Sequence, residues 1–186
     1  MATPELVTDR LILLPLTPED AEQMQQIFPR WEIVRHLAAT VPWPFPDNGA
    51  QRYVNQVALP AVAAGTAWFW SIRRQADPAV MIGLICLSDD ADNNRGFWLV
   101  PEWQRQGLMT EASRAVTDFW FNTLQRPRLR APKASENDGS RKISTNSGMR
   151  LFSRGKKQYV AGLLDSEVWE ITREEWLAQQ NRSATN

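Results

Sequence analysis

The chain is short of the side chains on which most metal and thiol chemistry depends. Its 186 residues include one histidine and one cysteine. A lone cysteine excludes a disulfide within the chain and fits a reducing compartment. Cys86 lies in the apolar run 81–87, where a buried core thiol is expected rather than a nucleophile. Metal centres built from His and Cys are excluded by the same count. A Ser-His-Asp or Cys-His site would need His36, and no other feature of the sequence supports one. There is no charge excess either, since Lys plus Arg and Asp plus Glu both number 21. General affinity for nucleic acid is therefore not expected, and the locally basic stretch 126–133 reads as a solvated strand end. No apolar run is long enough to cross a membrane. Residues 1–10 carry Glu5, Asp9 and Arg10 in place of an apolar leader. These absences describe a cytoplasmic protein with neither membrane nor nucleic-acid partners.

What is abundant is tryptophan, nine in all, at 31, 43, 68, 70, 98, 103, 120, 169 and 176. Most must be core, and those in loops are free to line a pocket. The length suits a single domain over residues 1–186, and no linker or internal repeat divides it.

Residues 6–16 read as a first strand, followed by a short helix over 19–28 with Thr17 as N-cap, Pro18 at its first position and Asp20 completing a capping box. A second helical piece covers 31–39. Val41-Pro42-Trp43-Pro44-Phe45-Pro46 is barred from regular structure, because alternating prolines remove donors and force extension. A longer helix over 48–64 ends at Gly65. Strands follow at 67–73, 79–87 and 95–100, the second nearly all apolar, as expected of a strand covered on both faces. Residues 107–124 form the clearest helix, with Leu108, Ala112, Ala115, Val116 and Phe119 on one face. A strand at 128–134, a helix at 137–147 capped by Asn137, strands at 150–159 and 167–172, and a helix at 173–180 complete the chain, whose last residues should fray. The order predicts a mixed α/β fold around one sheet.

Chemistry concentrates in 96–113, GFWLVPEWQRQGLMTEAS. A strand runs into a polar loop, a glycine and an amphipathic helix. Such a junction aims free backbone N–H groups and the positive end of the helix dipole outward, which suits a phosphate. Gly107 permits close backbone approach, and Arg105 adds charge. A plain connecting loop has the same local pattern. Neither a P-loop nor a three-glycine dinucleotide fingerprint is present.

The surroundings of this loop carry a resemblance. Gln104-x-x-Gly107-x-Met109 resembles the Gln/Arg-x-x-Gly-x-Gly/Ala motif of the GNAT acetyltransferase superfamily, and Met109-Thr110-Glu111-Ala112 is similar to the branch containing the RimJ/RimL ribosomal-protein N-acetyltransferases. Thr8-Asp9-Arg10-Leu11-Ile12-Leu13 resembles that branch's opening strand. Glu136-Asn137-x-x-Ser140 resembles its later cofactor signature, and Gly148-Met149-Arg150-Leu151 the segment after the last cofactor helix.

The resemblance implies a mostly antiparallel, splayed sheet of about six to seven strands flanked by helices. It implies acetyl-CoA as cofactor, its pantetheine arm between the strands near 97–100 and 128–134. Backbone groups of Leu99 and Val100 would bond the arm, and one N–H would polarise the thioester carbonyl. The N–H groups of Gln104, Arg105, Gln106, Gly107, Leu108, Met109 and Thr110 would hold the pyrophosphate. Asn137 would bind the arm, and Ser140 would protonate the leaving thiolate. The implied activity is acetyl transfer to a primary amine, on a small molecule or a protein N-terminus, by direct attack in a ternary complex. A homodimer is compatible with the sequence.

Two positions depart from the pattern. Met109 stands where Gly or Ala is preferred. Asn94 stands two residues before Gly96, where the branch carries an acid, so the general base is unassigned, with Asp89, Asp90, Asp92 and Glu102 nearby in sequence. Without a base, an amine of low pKa is the easier acceptor. About a tenth of an α-amine is unprotonated at neutral pH, against well under a thousandth of a lysine side chain. The same departure keeps a second class open, a GNAT-fold module that binds acyl-CoA without turnover. Trp43 and Phe45 would wall the acceptor pocket with Trp68 and Trp70 beneath, or else pack inward under a proline-stiffened surface loop.

Overall fold

The computed structural model describes residues 1–184. Eight strands form two antiparallel sheets, one of five strands in chain order and one of three in the order sixth, eighth, seventh. The reading of 6–16 as one strand changes here. Leu6–Val7 (β1) and Leu11–Pro15 (β2) fold back on each other, with Leu6 opposite Leu13. The turn between them is closed by Thr8, whose N–H donates to the Leu11 carbonyl.

Asp20–Ile27 (α1) follows. Asp20 accepts from the Thr17 N–H at 2.9 Å, which is the acidic half of the expected capping box. Its other oxygen takes the Arg73 guanidinium, tying the helix to the sheet. Trp31–Val34 (α2) is a single turn, shorter than expected. The expected helix over 48–64 is present in three joined pieces: Gly49–Tyr53 (α3), a wider π turn at Val54–Ala58, and Leu59–Ala63 (α4).

Ala67–Arg74 (β3), Asp77–Ser88 (β4) and Arg95–Leu99 (β5) complete the first sheet. Its two faces are covered by different helices. Tyr53 meets Phe69 and Phe28 meets Trp98 on one face, at ring separations of 6.2 and 5.1 Å. On the other, Phe119 meets Trp68 and Trp70 at 6.3 and 5.7 Å. Phe119 ends the amphipathic helix, Leu108–Asp118 (α5), and opens a second π turn, Phe119–Thr123.

Arg128–Ala134 (β6), Arg150–Tyr159 (β7) and Gly162–Thr172 (β8) form the second sheet, with Asp138–Asn146 (α6) between β6 and β7 and Arg173–Ala184 (α7) at the end. Strand β8 begins five residues earlier than expected, because it pairs with β7 as far as Tyr159 opposite Gly162. The chain end expected to fray includes residues 185–186, which lie outside the described residues. No helix among the described residues is long and apolar enough to cross a membrane.

The two sheets join at one point. The Asn94 N–H donates to the Arg130 carbonyl, and the Arg130 N–H donates to Asn94 Oδ1, both at 2.8 Å. Beyond it β5 and β6 carry no ladder. This is the splay implied for the sheet, and it places the two facing strand edges beside the loop 101–107.

Candidate active site

The chain turns from β5 into α5 through a short 3-10 turn, Pro101–Trp103, and two left-handed residues, Arg105 at φ 60° and Gly107 at φ 80°. Left-handed backbone at a non-glycine is uncommon, and alternation of this kind turns successive N–H groups toward one concavity. The Gly107 carbonyl receives the Glu111 N–H, so the helix starts there. The N–H groups of Leu108, Met109 and Thr110 precede that bond and have no partner along the helix, and no side chain caps them. Met109 is buried with Leu108 and Ala112, so its side chain joins the core while its N–H stays at the mouth.

The loop is held from behind. Arg10 Nη1 donates to the Gln106 carbonyl at 2.9 Å and Arg10 Nε pairs with Glu111 at 2.8 Å. The Thr8 hydroxyl and the Arg10 N–H donate to the other Glu111 oxygen. Two sequence motifs about a hundred residues apart are thus one contact.

The groups that β5 turns toward the splay differ by one residue from expectation. Val100 N–H donates to the Ile82 carbonyl and Asn94 carbonyl accepts from Ser88 N–H. The antiparallel alternation between these two bonds directs even-numbered residues to β4 and leaves Phe97 and Leu99 facing outward. Val100 N–H is therefore engaged within the sheet, and Phe97 takes its expected place. Gln104 Nε2 donates to the Leu99 carbonyl at 2.8 Å, so this side chain shapes the loop rather than extending from it.

Across the splay, α6 starts where β6 ends. Asn137 Oδ1 accepts from Ser140 N–H at 3.2 Å, the expected cap. That leaves the Asn137 amide nitrogen and the Ser140 hydroxyl directed by the first turn of α6. Glu136, just before, accepts from the only histidine: His36 Nε2 lies 2.8 Å from Glu136 Oε1. His36 lies in the turn that follows α2, which is fixed to the tip of the β7–β8 hairpin by Val160 N–H to Leu37 carbonyl and Ala161 N–H to Arg35 carbonyl. Nothing in the sequence marks this pair, because neither residue sits in a local pattern that requires the other.

Asn94 is a structural clamp. Besides its bonds to Arg130, its Nδ2 donates to the Ser88 and Asp90 carbonyls at 3.1 and 2.6 Å. Three of the nearby acids are taken by cations, while Asp90 accepts from the Asp92 and Asn93 N–H groups. Asp89 pairs with Arg126 and Asp92 with Arg130. Glu102 pairs with Arg30, and its own backbone N–H together with that guanidinium holds it below the usual carboxylate range. Burial pulls Glu111 upward, but the Thr8 and Arg10 donors outweigh it and hold it low. Glu167 is similar, with Trp169, Arg141 and Arg154 outweighing burial.

The aromatic residues divide. Phe45 lies over Gly49, where a Cβ would come within 2.6 Å of its ring, and meets Phe28 edge-on at 5.0 Å. Trp43 is 41% exposed and leans on Trp31, itself 43% exposed, at 5.8 Å. Trp68 and Trp70 are buried on the α5 face, and their indole N–H groups donate to the Met1 and Pro4 carbonyls. The odd and even positions of β3 face opposite helices, and theirs is the α5 side.

Two buried cations were also illegible. Arg95 donates to Thr117 Oγ1 and Met149 Sδ while its Nε has no partner, and burial pushes it down to about 10. Lys133, buried on β6, is pushed down to about 7 by burial, aided by Arg95 and opposed by Glu167.

Residues 10–150 match the family model described as the acetyltransferase (GNAT) domain. The chain is 27% identical over 151 residues to YoaA, an uncharacterised N-acetyltransferase of Bacillus subtilis, covering 79% of this chain and 83% of that one. Among solved structures, it shares the fold of the ribosomal-protein-S5-alanine acetyltransferase of Vibrio fischeri, with a TM-score of 0.77, 17% identity and coverage of 93% and 98%. It shares the fold equally with RimL, a ribosomal L7/L12 α-N-protein acetyltransferase solved with coenzyme A, at a TM-score of 0.77, 16% identity and coverage of 91% and 98%.

Proposed function

Since the chain belongs to the GNAT acetyltransferase family, we propose that it is an N-acetyltransferase moving the acetyl group of acetyl-CoA to a primary amine, an α-amino group or a weakly basic small amine, by direct attack in a ternary complex. The observation that carries this reading is the uncapped first turn of α5, opened by left-handed Arg105 and Gly107, beside two strand edges that do not pair. A pyrophosphate fits that turn because its donors are backbone N–H groups at the positive end of a helix. The N–H groups from Arg105 to Thr110 hold it, with Arg105 adding charge, while the Gln104 N–H is taken by the Pro101 carbonyl. The outward backbone groups of Phe97 and Leu99 and the Asn137 amide hold the pantetheine arm, and the Ser140 hydroxyl protonates the departing sulfur. When bound, the cofactor supplies an acetyl group already activated as a thioester.

The acceptor reading rests on amine chemistry. The nearby carboxylates are paired or held low, so none is a strong base, and a low-pKa amine needs the least help. The two related folds act, by their names, on ribosomal proteins, one on an α-amine. A second reading, an acyl-CoA-binding module without turnover, is favoured by Asn94 acting as a clamp in place of an acid. Thiol release from acetyl-CoA separates the two. The expected result is turnover at neutral pH with peptides bearing a free α-amine, at least about tenfold faster than with the same peptides blocked at the N-terminus and bearing lysine. Tight acetyl-CoA binding without thiol release on any amine would establish the module.

A further inference from the structure

We propose that His36 is the general base of this enzyme, with Glu136 as the group that orients it. The proposal rests on the acetyl-transfer reading above and supplies the residue that reading leaves open.

His36 lies in the turn that follows the single-turn α2, and the backbone on both sides of it, at Arg35 and Leu37, is bonded to the β7–β8 hairpin tip. Ala38 adds a bridge to Tyr159. This segment thus spans from α2 to the β7–β8 hairpin of the second sheet. The His36 side chain is only 10% exposed, against 60% for Glu136, so the imidazole is largely buried and the carboxylate open to solvent. Glu136 is followed directly by Asn137, and the same helical turn carries Ser140. The imidazole is therefore anchored to the residue just before the first turn of α6, the turn proposed above to hold the pantetheine arm and the sulfur.

The hydrogen bond also sets which nitrogen works. A carboxylate only accepts, so in the neutral imidazole Nε2 carries the hydrogen and Nδ1 keeps its lone pair. The amine's lone pair forms the new N–C bond to the acetyl carbon as the C–S bond breaks, with sulfur leaving on the electron pair. The proton shed by the nitrogen passes to His36 Nδ1, and the resulting imidazolium is stabilised by the Glu136 carboxylate. The sulfur takes the Ser140 hydroxyl proton, which solvent restores. The carboxylates that compete for this role are each held by arginine: Glu102 by Arg30, Glu111 by Arg10, Glu167 by Arg141 and Arg154.

Because His36 is the only histidine, its ring signals in untagged, 15N-histidine-labelled protein need no assignment. Two-bond 1H–15N spectra should give the Nε2–H tautomer, and addition of coenzyme A should shift the ring resonances. An Nδ1–H tautomer, or a ring unmoved while tryptophan fluorescence reports coenzyme A binding, would overturn the proposal. In the thiol-release assay, His36→Gln should lower kcat by about 10²-fold or more with the Michaelis constant for acetyl-CoA unchanged. Glu136→Gln, at an exposed position that leaves the fold intact, should lower kcat about tenfold. A His36→Gln enzyme within threefold of wild-type kcat would sink the assignment. Failure of the wild type to release thiol with any amine would instead refute acetyl transfer, and the spectra would still decide where His36 lies.

Discussion

Arg10 grips Glu111 twice, through its backbone N–H on one carboxylate oxygen and its Nε on the other, and from the same side chain holds the Gln106 carbonyl. The opening hairpin therefore sets the position of the loop that starts α5. Replacing Glu111 with Gln should cost about 1–2 kcal/mol at pH 7, the scale of hydrogen bonds to a charged group partly open to solvent, and should raise the acetyl-CoA Michaelis constant several-fold. The Glu111 pKa is held below its ordinary value. Its contribution is thus complete above the unfolded carboxylate range, about pH 4.3, and lost as pH falls through the lower folded value. Urea denaturation of both proteins at pH 7 and pH 3 should find the gap closing at the acid end.

Asn94 invites the opposite substitution, placing an acid where the family resemblance leads one to expect it. Asn94→Asp should be harmful. It replaces the donor that faces the Ser88 and Asp90 carbonyls with a carboxylate oxygen. A loss of about 2 kcal/mol or more is expected from setting acceptors against one another, with no gain in turnover. A variant of wild-type melting temperature and higher kcat would mean that the position is catalytic after all.

Lys133 gives a pH signature of the reverse sign. With its folded value near 7 and an unfolded one near 10.4, the unfolded chain binds more protons between these values. Stability therefore rises with pH across that window. Lys133→Met should be more stable than the wild type at pH 6, by on the order of a few kcal/mol, and the advantage should shrink toward pH 10. Thermal melts across the range measure this directly.

Trp31, on the helical turn that leads to His36, and Trp43, in the proline-rich loop beyond it, form an exposed aromatic pair. Trp43→Ala should raise the Michaelis constant for the acceptor by about tenfold, while that for acetyl-CoA stays within twofold, the loss being one stacked ring. Equal rises in both would point to general damage.

The sequence made the cofactor side legible because that side is built from contiguous backbone. A strand, a loop with Gly107 and an amphipathic helix occupy one uninterrupted stretch, and periodicity reads such stretches well. The acceptor side is assembled across distance. His36 and Glu136 are a hundred residues apart, and the turn carrying one reaches the other only through the β7–β8 hairpin. The surroundings of Trp68 and Trp70 depend on distance in the same way. Alternation places both on one face of β3, but which helix covers that face depends on chain topology. Asn94 was legible as a departure from pattern, while its role as a clamp depends on β6, which no local signal places beside it.

The single joint at Asn94 also makes the gap between the sheets a matter of leverage. From Asn94 to Leu99 the strand extends roughly 17 Å. A tilt of about 3° about that fulcrum would shift the far end by about 1 Å, a displacement of the size that costs reactions about a hundredfold in rate. One buried amide, with no part in bond making, thus helps set the angle at which the two sheets meet.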